Sequence, residues 1–192
     1  MKYNDIQKAL KQRLKPKRYK HTLGVVESAE RLTRRYGGDV KQAKTAALLH
    51  DCAKNMDDQR LLEMARASNL PLDVVLTAEP GLLHGAVGAV IAKKEFGIDD
   101  PMILDAITYH TTGRTQMTTL DKIIYRADYI ELNRDFPGVE ALRTESEKNL
   151  EDACVLGLTH TIRFVLSNGG LVHPLTVEAR NDLIIKNGGN KD

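Results

Sequence analysis

Apolar positions recur at helical spacing along almost the whole of this chain, and no segment shows the strict alternation of a half-buried strand. Ile6, Leu10 and Leu14 repeat every four residues, and Pro16 ends that first helix. A second helix is predicted from Arg18 to Tyr36, with Val25, Ala29, Leu32 and Tyr36 turned inward and Gly37-Gly38 as its stop. Asp39 is placed to cap a third, which finishes in the run KTAALLHD. Asp57 caps a short helix ending before Pro71, another follows Pro80-Gly81 through Phe96, and Pro101 opens one that reaches Tyr109-His110. Thr118-Thr119 can cap LDKIIYRADYIEL, and a last pair is expected near 146–168 and 176–187, separated by the turn-rich NGGLVHPLT. The pattern predicts an all-α helical bundle, with residues 1–192 as a single domain and neither repeats nor low-complexity segments.

Composition removes several function classes. The formal net charge is +2, and no block of like charge is long enough to act as a binding tail, so nucleic acid is not an expected partner. Cys52 and Cys154 form no C-x-x-C pair and no disulfide framework, which points to a reducing, cytoplasmic setting. The start, MKYNDIQKAL, reads as an amphipathic helix rather than a signal peptide. The longest small-apolar run, AVGAVIA at 86–92, is too short to span a bilayer, so no membrane partner is expected either.

The chemistry lies in an ordered series, His21, His50-Asp51, His84, His110 and Asp128, spread one group per predicted helical segment. A His-Asp pair alone is weak, because about half of one is expected by chance in a chain of this composition. The series is not weak. Imidazole nitrogens with carboxylates suit iron, manganese or zinc, and six such ligands exceed one open catalytic site but fit two adjacent ions sharing a carboxylate. His21 stands four residues from Val25 and so faces the core, Asp128 shares a stripe with Ile124 and Asp121, and His50-Asp51 close an apolar run. A lone buried histidine is usually a satisfied core residue, but several core-directed polar groups together are costly to bury without a metal or mutual pairing. Lys54, three residues after Asp51 and four after His50, can lie beside a phosphate bound there, although in isolation it reads as a solvated helix residue. His160 falls outside the series and reads as an ordinary packed histidine.

The motifs KRYKHTLGV (17–25), ALLHDCAK (47–54), LLHGAVGA (82–89), ITYHTTG (107–113), LDKIIYRADYIELNRDFPGV (120–139) and VHPLTVEARN (172–181) occur in this order. Together they resemble the two-metal branch of the HD-domain phosphohydrolases, and within it the bacterial symmetrical bis(5′-nucleosyl)-tetraphosphatases of the YqeK type. The likeness covers about 17–181 and departs at Leu132, where that family's pattern has a proline. The resemblance implies one metal held by His21, His50, Asp51 and Asp128, and a second held by Asp51, His84 and His110 with Asp51 bridging. It implies iron as the native metal; ligand chemistry admits manganese equally and zinc less readily. Asp51 and Lys54 are the implied catalytic groups. The implied nucleotide contacts are Arg18, His21, Asp51, Lys54, His110, Thr111 and Arg134, with the loop Leu171, Val172, His173, Pro174, Leu175 and Thr176.

The expected reaction is hydrolysis of diadenosine tetraphosphate to two ADP. A second copy of the chain is admitted as a partner. The same scaffold could instead serve a deoxynucleotide, a cyclic nucleotide or guanosine tetraphosphate. A regulatory module that binds nucleotide without turnover is disfavoured by retention of all six ligands and Lys54, and a two-metal oxygenase is the remaining rival.

Overall fold

The computed structural model describes residues 1–188, and among these there are eleven α-helices, one short 3-10 turn and no strand. The helices are α1 (Tyr3–Arg13), α2 (Pro16–Tyr36), α3 (Val40–Leu49), α4 (Asp58–Ala67), α5 (Val74–Ala78), α6 (His84–Phe96), α7 (Pro101–Tyr109), α8 (Thr119–Ile130), α9 (Val139–Lys148), α10 (Leu150–Ser167) and α11 (Pro174–Gly188). The predicted caps act as expected. Asp39 accepts from the amides of Lys41 and Gln42, Asp57 from Arg60, and Thr118 forms a reciprocal capping box with Asp121.

Helices α2, α3, α7 and α8 pack on one another at the centre; α6 lies on α7, while α10 joins α8 to α9 and α11. Helix α3 can sit among its neighbours because its inner face is nearly all small or aliphatic: Ala43, Ala46, Ala47, Leu48 and Leu49 are fully buried. Val25, Ala29 and Leu32 of α2 face it as expected, while Tyr36 is half-buried and donates its hydroxyl to the Ser146 carbonyl.

Three features depart from the periodicity reading. The stretch expected as one helix over 146–168 is divided, because Asn149 takes an extended conformation and caps α10 through the amides of Glu151 and Asp152. Helix α9 before it buries only Val139 and Leu142 among its apolar residues, and α5 is a single turn, so neither shows a clear stripe. Asp121 does point inward, but its work is structural: it completes the capping box and pairs with Arg114 at 2.8 Å.

The approach of α6 to α7 depends on Gly85. A Cβ there would stand 2.5 Å from the Thr108 carbonyl oxygen, a backbone atom at the end of α7. The missing side chain lets the start of α6 meet the end of α7, bringing His84 to His110. Gly85→Ala is therefore expected to destabilise the protein by about 1–3 kcal/mol through backbone displacement. Denaturant unfolding checks this, and an unchanged midpoint would contradict so close a packing.

Candidate metal centre

Four imidazoles meet in the middle of the bundle although they come from separate elements. His21 lies on the inner face of α2, His50 and Asp51 in the turn that ends α3, His84 at the start of α6, and His110 at the end of α7. Neighbouring rings stand edge-on: His21 to His50 at 5.5 Å, His50 to His110 at 5.0 Å, and His110 to His84 at 4.8 Å between centroids. Asp128 of α8 lies beside them, its Oδ1 3.0 Å from His21 Nε2.

Asp51 divides this row into two groups. Its Oδ2 lies 3.3 Å from His50 Nε2 and 3.7 Å from His21 Nε2, while its Oδ1 lies 3.3 Å from His84 Nε2 and 3.7 Å from His110 Nε2. One carboxylate thus offers a separate oxygen to each histidine pair. Three overlapping sets of ligand atoms, His21/His50/Asp51, His50/His110/Asp128 and Asp51/His84/His110, each fall within 4.8 Å of one another.

The backbone fixes which ring nitrogen faces inward. His50 Nδ1 is 2.7 Å from the Ala47 carbonyl, His84 Nδ1 2.6 Å from Gly81, and His110 Nδ1 2.7 Å from Ile107, each three residues back. A carbonyl can only accept, so each Nδ1 is the N–H donor, and a neutral ring then presents its Nε2 lone pair to the centre. His84 Nε2 and His110 Nε2 consequently confront each other at 3.0 Å. The Thr111 hydroxyl, 3.3 and 3.2 Å from them, has one proton and cannot serve both. His50 Nε2 and His21 Nε2 are buried with no donor for their lone pairs, only carboxylate oxygens of Asp51 and Asp128 nearby. Facing lone pairs and orphaned acceptors around a buried carboxylate are what divalent cations satisfy. The residues present fit such ions.

The electrostatics agree. Burial would raise the Asp51 carboxyl, but the charge of His50 and the N–H groups that His110, His50 and His84 offer when protonated outweigh it and hold the group well below the usual carboxylate range. Asp128 is likewise held down against burial, by His21, His50 and Arg134. Burial pushes His84 down to about 4, which keeps its ring neutral and able to donate a lone pair. Burial opposes a charge on His50 too, yet Asp51 beside it draws the pKa upward, a sign that this centre attracts a cation.

The other residues singled out in the sequence fall into three positions. Arg18 Nη1 lies 2.7 Å from Asp51 Oδ2, and Arg134 holds Asp128 through its Oδ1 at 2.6 Å and its carbonyl at 2.9 Å. Lys54 Nζ stands 3.4 and 3.5 Å from the two ring nitrogens of His84, committed to neither; burial of that end pushes its pKa below the ordinary lysine value. Leu171, Val172, His173 and Thr176 border a crevice of about 50 Å³ shared with Thr111, while Pro174 opens α11 and Leu175 faces a neighbouring apolar cavity. His173 is turned away from the histidine cluster: its Nδ1 accepts from the Leu175 amide and its Nε2 lies 3.1 Å from Asp73.

Sequence reasoning missed Glu131. It is buried just past α8, with Oε1 3.1 Å from His21 Nδ1 and Oε2 accepting from the Asn133 amide at 2.7 Å and side-chain Nδ2 at 2.8 Å. Gly24 makes room for it, since a Cβ there would stand 2.3 Å from Oε2. The segment IELNR contained the signal: an acid beside an apolar helix end, one turn beyond Asp128.

The HD domain family matches residues 18–133, the span that contains all six clustered histidines and aspartates. The chain belongs to the HD domain family. A protein of Halalkalibacterium halodurans named symmetrical bis(5′-nucleosyl)-tetraphosphatase is 40% identical to it, over 92% of this chain and 94% of its own. A Bacillus subtilis protein of the same name is 41% identical over 91% and 94%. A crystal structure from Clostridium acetobutylicum, described as an HD superfamily hydrolase involved in NAD metabolism, superposes with a TM-score of 0.94 at 43% identity, covering 97% of this chain and 98% of that one.

In this HD protein the Glu131–His21 contact predicts a sharp effect of Glu131→Gln. The two Asn133 donors need an oxygen, so the new amide nitrogen must face His21 Nδ1 and donate to it. That moves the ring proton to Nε2, where it blocks a ligand position. Metal affinity is expected to fall by at least about 10- to 100-fold, read by titration of the metal-free protein; wild-type affinity would show that Glu131 does not set the tautomer.

Proposed function

We propose that this chain is a metal-dependent hydrolase that cleaves diadenosine tetraphosphate symmetrically to two ADP. The observation that carries the reading is Asp51, which offers one oxygen to each of two histidine pairs in a centre bordered by Arg18, Lys54 and Arg134. The substrate follows from the names of relatives that are 40 and 41% identical over nearly the whole chain. His21, His50, Asp51 and Asp128 would hold one ion, and Asp51, His84 and His110 the other. Iron is the metal we propose, with manganese suited equally by ligand chemistry and zinc less so.

Divalent cations held by these residues would supply charge for the phosphoryl oxygens and a water acidic enough to give hydroxide near neutral pH. The chain's own groups do the positioning. The carbonyls of Ala47, Gly81 and Ile107 keep three imidazoles aimed inward, so the centre needs little rearrangement when substrate arrives. The Lys54 ammonium, already at the rim beside His84, stabilises charge that develops on the phosphoryl group. Arg18 and Arg134 each hold a carboxylate through a terminal guanidinium nitrogen and keep further donors for phosphate oxygens. The loop 171–176 receives the nucleoside of one half.

The leaving diphosphate is stable at neutral pH and needs no general acid. No cysteine serves as nucleophile, because burial pushes both the Cys52 and Cys154 thiols up to about 12. Two free cysteines also support the cytoplasm as the compartment, and no described helix is long and apolar enough to cross a membrane. Dinucleoside polyphosphate and ADP are the partners proposed; nucleic acid is not among them.

Turnover in labelled water by the metal-loaded protein tests the reaction. Two ADP are expected, with the label on only one of them; ATP plus AMP would place the attack at another phosphorus and overturn the symmetrical assignment. Asp51→Ala should empty both metal positions, whereas His84→Ala should empty mainly one, as read by metal analysis. Equal losses in the two variants would count against a bridging Asp51. Lys54→Ala should lower kcat by on the order of 100-fold with metal retained, and unchanged kinetics would return it to the solvent.

A further inference from the structure

A larger cavity opens from the same metal centre and has no role in the reading so far. It encloses about 620 Å³, and its lining runs from His110, Thr111, Asp128 and Arg134 to a group of aromatic rings. This lies within the roughly 300–1,000 Å³ range of small-ligand sites. Phe136 and His160 are stacked at 5.7 Å with an interplanar angle of 26°, and Tyr129 stands edge-on to Phe136 at 5.6 Å. The Tyr129 hydroxyl holds this wall in place, 3.0 Å from His160 Nδ1 and 3.2 Å from Thr161 Oγ1. Phe164, one turn further along α10, also borders the cavity and is 63% exposed.

The chemistry of this lining is specific. Its one carboxylate, Asp128, is paired with Arg134, so the cavity has a cation beside the histidine cluster and flat ring faces further toward the surface. Such a sequence fits an anionic chain that ends in an aromatic ring system, since bases stack on aromatic side chains with little regard to base identity. A symmetrical tetraphosphate has two nucleosides to place. The crevice beside the 171–176 loop, about 50 Å³, adjoins this cavity through Thr111 and Thr161, which line both.

We propose that the cavity of Tyr129, Phe136, His160 and Phe164 is the seat of the second nucleobase, stacking the half of the substrate that the 171–176 loop does not hold. The proposal rests on the dinucleoside-polyphosphate reading above. It makes the preference for two nucleosides over one a property of the aromatic wall rather than of the metal centre.

Equilibrium binding to the metal-loaded protein tests it. The probes are diadenosine tetraphosphate and adenosine tetraphosphate, each with a methylene in place of the central bridging oxygen. The wild-type protein is expected to bind the two-nucleoside probe on the order of tenfold more tightly. Phe164→Ala and Phe136→Ala should bring that ratio close to one, and Phe164→Trp should preserve it. Phe164 is exposed, so its truncation keeps the test valid if Phe136→Ala does not fold, and metal content reports separately on the centre. No preference in the wild type, a preference that survives Phe164→Ala, or equal weakening of both probes would each overturn the proposal. Failure of the hydrolase reading would appear elsewhere, as an absence of ADP from unmodified substrate while the binding ratio persists.

Discussion

The Asp51 carboxylate is the point on which the rest of the site depends. It is 3% exposed and surrounded by His21, His50, His84 and His110, with only Arg18 reaching it from outside. An ionised group in such a place is costly unless positive charge or hydrogen-bond donors offset the lost hydration. Here the surrounding imidazoles face it with lone pairs when they are neutral, so the protein by itself satisfies the arrangement poorly. That deficit is a physical argument for cations: the same groups that leave the carboxylate poorly satisfied would serve as ligands to bound ions.

Holding the centre in this state requires a rigid surround. Three of the histidines sit at helix ends, where a carbonyl three residues back is free to take the Nδ1 proton. His21 lies within α2, where carbonyls are already used by the helix, and so it needs a carboxylate from elsewhere, Glu131. Glu131 is itself held by a short loop, and that loop is fastened from α9: Arg143 donates to the carbonyls of Ile130, Glu131 and Arg134 at 3.0, 2.9 and 2.8 Å. A chain of contacts thus leads from α9 through the 131–134 loop to both His21 and Asp128. Gly24 and Gly85 contribute by absence, removing Cβ atoms that would collide with Glu131 and with the end of α7.

In the proposed assignment, substrate selection and metal retention fall to different parts of the bundle. The ligands come from α2, α8 and the ends of α3, α6 and α7, whereas the aromatic wall comes from α8, the loop after it and α10. Tyr129 and Asp128 are consecutive residues, so the two functions are joined at a single turn of α8.

The inward-facing series of histidines and acids was legible because a helix fixes direction by spacing. His21 follows the stripe of Val25 and Ala29, His50-Asp51 close an apolar run, and a capping acid or proline marks where each helix begins. Helical architecture and the six polar groups destined for the interior could therefore be read from the order of residues alone. The division near Asn149, the existence of α9 and the tasks of Glu131 and His160 could not. A helix such as α9 with only two buried apolar residues carries little periodic signal, and an acid after a helix end looks the same whether it faces water or an imidazole 110 positions earlier in the chain. Spacing determines which way a side chain points on its own element; only packing decides which partner from a distant element it meets there, and at what distance.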